Sequence, residues 1–348
     1  MNKNKRPTIA TVAAQAGLSV ATVDRVLNAR APVNPDTAEQ VFQAAEKVGY
    51  FAARLIGQRI RERRPSYRFG ILLLGTAQAF YGNLATAITA AAQRHAGANL
   101  SCHYAYVFDR TPSAIVAQIE QLAVQYDGLA VVSFSHPLIN AAIAQIREAG
   151  VPVVALLSDI HEQGLEPYVG QDNHQVGRTM GWLLAHTSNP RKGCVGVLLG
   201  GHRFLGHQAR LEGLRSYLAQ HAPGLRLLDA MINLDNNDVT EEAALELLAR
   251  YTDLRGLCVV GGGGDGIISA LAQLPERPGL CSILLESTAL SHQALKQGLI
   301  SLVVDSQPTL IAVALIDLMV ELQTSPDFDP ARHRIHIPLQ IVTCENAV

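Results

Sequence analysis

The stretch T-I-A-T-V-A-A-Q-A-G-L-S-V-A-T-V-D-R-V-L-N, from Thr8 to Asn28, decides how the start of this chain folds. Thr8 is a favourable N-cap for a short helix, and Gly17 ends that helix because glycine adopts the positive φ of a tight turn. Ser19 caps a second helix whose apolar residues recur at helical spacing. Two short helices joined by a glycine turn predict a helix-turn-helix, whose second helix enters the DNA major groove. An ordinary helical hairpin has similar caps, so the caps alone do not distinguish it from a DNA-binding helix-turn-helix.

Charge is distributed unevenly along the 348 residues. Residues 1–68 contain 12 Lys and Arg against 5 Asp and Glu, whereas the remainder contains 16 basic and 25 acidic residues. A basic head on an acidic body favours a head that binds a polyanion and a body with another task.

Composition excludes several classes of protein. With 48% hydrophobic and 17% charged residues, the chain has enough apolar side chains for a core and is unlike a disordered protein. No apolar run approaches the roughly 18 residues that span a bilayer, and no secretory signal core is present. The five cysteines are scattered and lack metal-ligand spacing. We therefore expect a soluble cytoplasmic protein with free thiols, no metal, no cofactor and no membrane partner.

Beyond residue 67 the chain alternates apolar strand patterns with helical patterns. Near-continuous apolar strands between helices predict parallel sheets covered by helices on both faces. The strands are too many for one sheet, and a break near Tyr168–Asp172 separates two similar halves. The fold predicted is an all-α head followed by two doubly wound α/β lobes, with strands that include Leu225–Ile232 and a last one at Ile335–Val342. Ligands of such folds bind at the carboxyl ends of the strands, here between the lobes.

Several motifs resemble the LacI/GalR family of bacterial transcriptional regulators. In the head these are Thr8–Ala13, Ala16–Ser19 and Thr22–Asn28, with Asp24 where serine is commoner; in the body they are Tyr168–Asn173, Gly177-Arg178, Arg210–Arg215 and Val304–Pro308. The resemblance covers essentially the whole chain. It implies a homodimer, or a tetramer, that binds a palindromic operator as a repressor and responds to a small effector such as a sugar or polyol.

The expected domains are a helix-turn-helix domain (1–51), a hinge linker (52–66) and an effector-binding domain of periplasmic-binding-protein type (67–348). Within the last, we expect a first lobe over 67–169 and 306–325, and a second lobe over 170–304 and 330–348.

The resemblance assigns base contacts to Val20, Ala21 and Arg25. Arginine can donate two hydrogen bonds to a guanine edge, whereas valine and alanine can only touch a thymine methyl or the groove wall. Phosphate contacts are expected from residues at helix ends and in the linker. The remaining predicted DNA-binding residues are Thr8, Ser19, Thr22, Asn28, Arg54 and Arg59.

The linker departs from the family pattern. Ala52 stands where the family has proline, Gly57 interrupts the hinge helix, and Arg59 stands where a leucine is usually wedged into the minor groove. An arginine can enter a narrow minor groove but does not separate a base step as an apolar wedge does. We expect weaker or different DNA bending.

Candidate effector-binding residues lie at strand ends and combine carboxylates, amides and arginine with aromatic rings, a set that suits sugar hydroxyls and ring faces. They are Phe80, Tyr81, Asp109, Ser133, Asp159, Asp172, Arg210, Asp265, Glu286 and Gln307, with Ser158, Asn173 and the segment 202–210 as neighbours. The resemblance supports Asp159, Arg210 and Gln307 most. In the family, a ligand-contacting asparagine often lies in the loop that is glycine-rich here, at 261–264, and its absence leaves room for a bulkier ligand.

Other functions are less well supported by the sequence. The glycine loop lacks the lysine and hydroxyl residue of a phosphate loop, and the His202–His207 spacing fits no common metal site. We expect a protein that is not an enzyme. The alternatives that stay open are a cytosolic sugar-binding protein without operator specificity and a sugar-metabolising enzyme.

Overall fold

The structure is a computed structural model that describes residues 6–28, 33–54, 57–58, 62, 64–75, 79–187, 192–275, 277–325, 329 and 332–347. The chain divides into two compact units, residues 1–67 with 92–101 and the remaining residues. Among the described residues, no helix is both long and apolar enough to cross a membrane.

The first unit contains three helices, α1 (Ile9–Ala16), α2 (Val20–Asn28) and α3 (Pro35–Lys47). Helices α1 and α2 begin at the caps that the sequence predicts, and Asn34 caps α3. Thr8 forms a capping box with Thr11, and Ser19 Oγ accepts a hydrogen bond from the backbone N–H of Thr22 at 3.1 Å. Gly17, at φ 65°, makes the turn between α1 and α2. A small core that includes Val12, Ala13, Val23, Leu27, Val41 and Ala45 joins the helices.

The second unit is built on two sheets. The strands of the first sheet are β1 (Ser66–Leu74), β2 (Asn99–Val107), β3 (Gly128–Val131), β4 (Val153–Leu156), β5 (Tyr168–Gly170) and β12 (Arg334–His336). Their order in the sheet is β12-β5-β4-β3-β1-β2. The strands of the second sheet are β6 (Gly193–Leu199), β7 (Leu225–Leu227), β8 (Met231–Ile232), β9 (Leu254–Val259), β10 (Cys281–Leu285), β11 (Leu302–Asp305) and β13 (Gln340–Val342). Their order in the sheet is β13-β11-β10-β9-β6-β7, with β8 paired to β6.

Nine helices of the described chain connect these strands. They are α4 (Ala79–Arg94), α5 (Pro112–Gln125), α6 (Pro137–Glu148), α7 (Asn173–Thr187), α8 (Leu205–His221), α9 (Asn237–Arg250), α10 (Gly264–Ala272), α11 (Ala289–Lys296) and α12 (Pro308–Thr324). The two-lobe fold of mainly parallel sheets predicted from the sequence is confirmed.

The predicted break near Tyr168–Asp172 agrees with the structure, because the chain leaves the first sheet after β5 and next enters the second sheet at β6. Two details of the predicted strand pattern are wrong. The strand expected over Leu225–Ile232 is two strands. The single strand expected over Ile335–Val342 is also two, because Pro338 lies between β12 and β13 and cannot donate to a ladder. β12 pairs parallel with β5 of the first sheet, whereas β13 pairs antiparallel with β11 of the second. Residues 334–336 therefore belong to the first lobe, not to the second as expected.

Helices α7 and α8 approach each other unusually closely. A side chain at Gly177 would overlap the carbonyl oxygen of Arg210, and one at Gly213 would overlap the carbonyl oxygen of His174. These glycines let the two backbones touch, which fixes the N-terminal ends of both helices beside the ends of the strands. Asn173 and Arg210 are thereby held at the edge where ligands bind in such folds.

Candidate functional site

The exposed face of α2 carries the residues predicted to read bases. Val23 and Leu27 are buried in the core of the head, whereas Ala21 and Arg25 are exposed and Val20 is 52% exposed. A valine exposed to this degree on a short helix contributes little to folding. The arrangement presents one arginine and two small apolar side chains on a single surface, as a helix in the major groove requires.

Asp24 and Asn28 form a pair on the same helix. The side-chain amide of Asn28 donates to Asp24 Oδ1 at 2.6 Å, and both Asp24 and Thr22 are only partly exposed. Thr22 also shares a hydrogen bond with Ser19 Oγ at 2.8 Å. Helix capping and this side-chain pair therefore partly shield Thr22 and Asp24. Exposed Thr8 and Ser19 stay phosphate-contact predictions.

The linker is described only in part. Arg54 is exposed, and Arg59 lies outside the described residues. Gly57 is buried against the ring of Phe42 on α3, where any side chain would overlap the ring. The glycine that departs from the hinge pattern therefore has a packing role in the head.

A cavity of about 640 Å³, open to solvent at its mouth, lies between the two lobes of the second unit. We call it the ligand cleft. From the first lobe it is lined by Leu74, Phe80, Tyr81, Val132, Leu157 and Ser158; from the second by Asn173, Phe204, Gly206, His207, Arg210, Asp235, Gly261, Gly262 and Glu286. Aromatic rings and convergent polar groups give it the character of a small-molecule site.

Arg210 is the cation in the wall of the ligand cleft. Its Nη1 donates to the backbone oxygen of Val260 at 3.3 Å, while its Nε is shielded from solvent without a hydrogen-bond partner. Burial lowers the pKa of the guanidinium, and nearby Glu286 partly offsets this. His207 Nδ1 and Asn173 Oδ1 also lack partners. A buried polar atom without a partner is costly, so these three atoms are suited to a hydrogen-bonding ligand.

Glu286 supplies a carboxyl group whose pKa lies near neutral pH. Burial raises its pKa to about 7, and the charge of Asp305 adds to the effect. Ser306 opposes the shift, since its hydroxyl donates to Glu286 Oε2 at 2.6 Å. A carboxyl group of this kind can accept from, or donate to, a sugar hydroxyl near neutral pH.

His207 and Tyr81 are neutral over the physiological range. Burial lowers the pKa of His207 to about 4, against the opposing influence of Asp235, and burial raises the pKa of Tyr81 above its usual value. Neutral imidazole and phenol groups each offer a donor and an acceptor, which also suits hydroxyl ligands.

Asp235 is a candidate ligand-binding residue that the sequence analysis did not predict. It follows β8, accepts from the backbone N–H of Gly262 at 2.7 Å, and forms an ion pair with Arg110 of the first lobe at 3.3 Å. A side chain at Gly261 would overlap both Asp235 and His207, so the glycine loop makes room for this carboxylate. The polar run N-L-D-N-N directly after the strand, residues 233–237, was the signal that could have found it.

Six of the ten predicted effector residues do not line the ligand cleft. Asp109 and Asp172 accept hydrogen bonds from the backbone of Thr111 and Gln175, and so act as local caps. Ser133 is fully buried. These positions follow strand ends as expected, but their side chains serve the adjacent helices or the core.

Asp159 and Gln307, which the resemblance favoured, are also held elsewhere. The guanidinium of Arg334 lies 2.9 Å from each carboxylate oxygen of Asp159 and 4.9 Å from the ring centre of Tyr168. The side-chain amide of Gln307 donates to the carbonyl of Pro338 at 2.6 Å. Both residues hold the segment after α12 against the crossings between the lobes. The sequence does not show these contacts, because they depend on where β12 and β13 lie in the two sheets.

Asp265 lies in a second cavity of about 420 Å³, which we call the side cavity. It shares Phe80, Gly261, Gly262 and Glu286 with the ligand cleft, so the two spaces adjoin. Of the ten predicted effector residues, Phe80, Tyr81, Arg210 and Glu286 line the ligand cleft. No group of three or more His, Cys, Asp or Glu side chains that could hold a metal occurs in the described part of the chain.

Comparison with known families matches both parts of the chain. Residues 69–325 match the periplasmic binding protein domain, and residues 8–52 match the bacterial regulatory proteins of the lacI family. The chain belongs to the lacI family of regulators. It is a DNA-binding transcription regulator with a helix-turn-helix head and a periplasmic-binding-protein-like domain, as the motifs in its sequence indicated.

Curated relatives of this lacI-family regulator include two transcriptional regulators. The HTH-type transcriptional regulator GalS of Salmonella typhimurium is 28% identical over 252 residues, 71% of this chain and 69% of GalS. The HTH-type transcriptional regulator IdnR of Escherichia coli K12 is 25% identical over 178 residues, and the match covers 51% of each chain.

Solved structures share the fold of the larger domain. A glucose-galactose binding protein, GanP of Geobacillus stearothermophilus, superposes with a TM-score of 0.71 at 17% identity, covering 81% of this chain and 99% of GanP. A Burkholderia graminis solute-binding protein in complex with D-arabinose gives a TM-score of 0.72 at 19% identity, covering 80% of this chain and 96% of that protein. At these identities the likeness establishes the fold alone.

Proposed function

We propose that this regulator is a repressor whose operator binding is controlled by a sugar-like effector in the ligand cleft. The observation that carries the proposal is Arg210, a half-buried residue whose Nε is shielded from solvent and unpartnered, beside Glu286 and the aromatic rings of Phe80 and Tyr81. Sugars present alternating hydroxyls and apolar ring faces, which match these groups. The named sugars of proteins that share the fold support the same class of ligand.

DNA recognition is proposed to centre on α2. Arg25 reads a guanine edge, Val20 and Ala21 contact the groove, and Thr8, Ser19, Thr22, Asn28 and Arg54 contact phosphates. Because lacI-type heads are small, two of them on a palindromic operator would double the contact area, so we propose a homodimer acting on DNA in the cytoplasm. Leu310 and Val313 of α12, 45% and 46% exposed, support α12 as part of the dimer contact.

Control is proposed to act through the angle between the lobes. Arg110 and Asp235 form an ion pair from one lobe to the other, and Ser158 Oγ accepts from the backbone N–H of Gly206 at 3.0 Å. A ligand that binds one arrangement of the lobes better than another shifts the population toward it.

One experiment tests the whole proposal. Purified full-length protein is used to select operators from a pool of random palindromes, and binding of the selected sequence is titrated with salt and with a panel of monosaccharides. We expect specific enrichment, a steep salt dependence and a change in affinity with at least one sugar. Absence of any enriched sequence would instead favour a sugar-binding protein without operator specificity.

DNA bending is a separate part of the proposal. With arginine at position 59 in place of an apolar wedge, we expect a weaker central kink than an inserted leucine produces. A circular-permutation bending assay on the selected operator measures it. A strong central kink that Arg59→Ala leaves intact would contradict this expectation.

A further inference from the structure

The side cavity is a space that the proposed recognition of a single sugar does not use. It continues from the ligand cleft past Phe80 and Glu286, and its far wall is formed by the glycine loop, Asn237, Asp265 and Leu284.

Packing does not explain every glycine in the loop. A side chain at Gly261 would overlap Asp235 and His207, and Gly263 has φ 90° and would overlap Thr240. At Gly264, by contrast, φ is ordinary and an added Cβ would only touch Leu284 at 3.5 Å, a normal van der Waals contact. The fold therefore accepts a side chain at position 264, and its absence leaves space beside the ligand cleft.

Polar groups in the side cavity lack partners within the protein. The carboxylate of Asp265 has no hydrogen-bond or ion-pair partner among the described residues, and burial raises its pKa. Asn237 Oδ1 is shielded from solvent and is also unpartnered. In contrast, Thr288 and Ser291 satisfy each other's backbone N–H groups at the start of α11. Two unpaired acceptors in the lining of one cavity call for hydroxyl donors.

Charge and shape restrict what can fill the side cavity. No Lys, Arg or His is among its described lining residues, whereas Asp265 and Glu286 are, so an anionic group such as a sugar phosphate is disfavoured. The apolar surfaces of Phe80 and Leu284 suit the C–H face of a sugar ring. Phe80 lines both spaces and can therefore contact two linked rings.

Resting on the proposed function, we propose that the effector is a neutral disaccharide, with one ring in the ligand cleft and the other in the side cavity. Hydroxyls of the second ring would donate to Asp265 and Asn237. The missing side chain at Gly264 then determines specificity for two rings over one.

The test compares the affinities of disaccharides and their component monosaccharides for the full chain. Isothermal titration uses maltose, cellobiose, lactose and melibiose, with glucose and galactose as components and glucose 6-phosphate as the anionic probe. Gly264→Val fills the side cavity, Gly264→Ala adds one methyl, and Asp265→Asn tests the carboxylate. Ser269→Val is the matched control, because it places the same side chain on the exposed side of α10. Melting temperatures without sugar show that each variant is folded.

We expect one disaccharide to bind at least tenfold more tightly than either component. Gly264→Val should lower the ratio of disaccharide to monosaccharide affinity at least tenfold, Gly264→Ala and Asp265→Asn should lower it less, and Ser269→Val should leave it within twofold. Monosaccharides that bind as tightly as every disaccharide, or a ratio that Gly264→Val and Asp265→Asn do not change, would overturn the inference and leave the proposed function standing. If no sugar of either length binds, both fall.

Discussion

The face of α2 and the ligand cleft differ in how far apart their residues lie in the sequence and in how exposed those residues are. The face of α2 lies within nine consecutive residues, is exposed, and leaves the core of the head to Val23 and Leu27 on the other side of the helix. The ligand cleft is assembled from segments as distant as Leu74 and Glu286, and its polar residues are buried or half-buried. Substitutions on α2 should therefore change DNA binding alone, whereas substitutions in the ligand cleft should change ligand binding and stability together.

The largest expected effect is at the contact between α7 and α8. Gly177→Ala would push a methyl group into the backbone of Arg210, so the helices must separate and Arg210 must move. Overpacking of this kind costs about 1–3 kcal/mol or more of unfolding free energy, and sugar binding should be lost. Denaturant unfolding and calorimetry measure the two effects. Gly82→Ala is the control, because the added methyl meets no atom within 4 Å. It should change neither the unfolding free energy nor the affinity for sugar.

Removing the cation of the ligand cleft should come next. Arg210→Met deletes the guanidinium while keeping much of the apolar stem, and we expect sugar affinity to fall by about 2–5 kcal/mol, at least thirtyfold. Arg215→Met is the matched control on the same helix, since the side chain of Arg215 is 58% exposed and pairs with Glu212. Equal losses from both variants would mean that the charge of α8, rather than a specific contact, governs binding.

On α2 the expected effect is smaller and confined to DNA. Arg25→Ala should weaken operator binding by about 1–3 kcal/mol and relax preference at one base pair, because one bidentate contact is lost. Its melting temperature should match that of the wild type, since Arg25 is exposed. Lys47→Ala, an exposed cation at the end of α3, should change affinity much less. A clear fall in melting temperature for Arg25→Ala would break the contrast between the two regions.

The smallest expected net effect is on the pH dependence of the unfolding free energy of the wild type. The folded pKa of Glu286 is raised from 4.5 to about 7, so the folded state holds the extra proton and this group makes stability fall as pH rises through that window. The folded pKa of His207 is lowered from 6.5 to about 4, so stability rises between those values. The two contributions oppose each other in the wild type.

Variants should separate these contributions. Relative to the wild type, Glu286→Gln should become progressively more stable from about pH 4.5 to 7, and His207→Gln progressively less stable from about pH 4 to 6.5. Denaturant unfolding at half-unit pH intervals measures both. A difference from the wild type that does not vary with pH would show that the group is not perturbed by burial.

Local patterns were enough to predict the head. Capping residues, the turn glycine and helical spacing act within a few residues, so Thr8, Gly17 and Ser19 have the roles that the sequence indicates. The alternation of strands and helices likewise predicted two lobes, because apolar periodicity reports burial directly.

The ligand cleft could be predicted only in part. Strand ends located Arg210 and Glu286, but a position after a strand does not reveal which partner takes the side chain. Asp159 is paired with Arg334 because β12 returns to the first sheet, and Asp235 was missed because its partners are Gly262 and Arg110, far away in sequence. Such contacts depend on tertiary packing.

The central claim is that the ligand cleft controls the head, and one titration tests it most directly. Operator affinity is measured with and without a saturating sugar that binds the ligand cleft, for the wild type and Arg210→Met. Couplings between sites are typically about 5- to 150-fold. We predict a change of at least fivefold in the wild type, and none in Arg210→Met, whose operator affinity without sugar should match the wild type. A sugar that binds the wild type yet leaves its operator affinity unchanged would contradict the account.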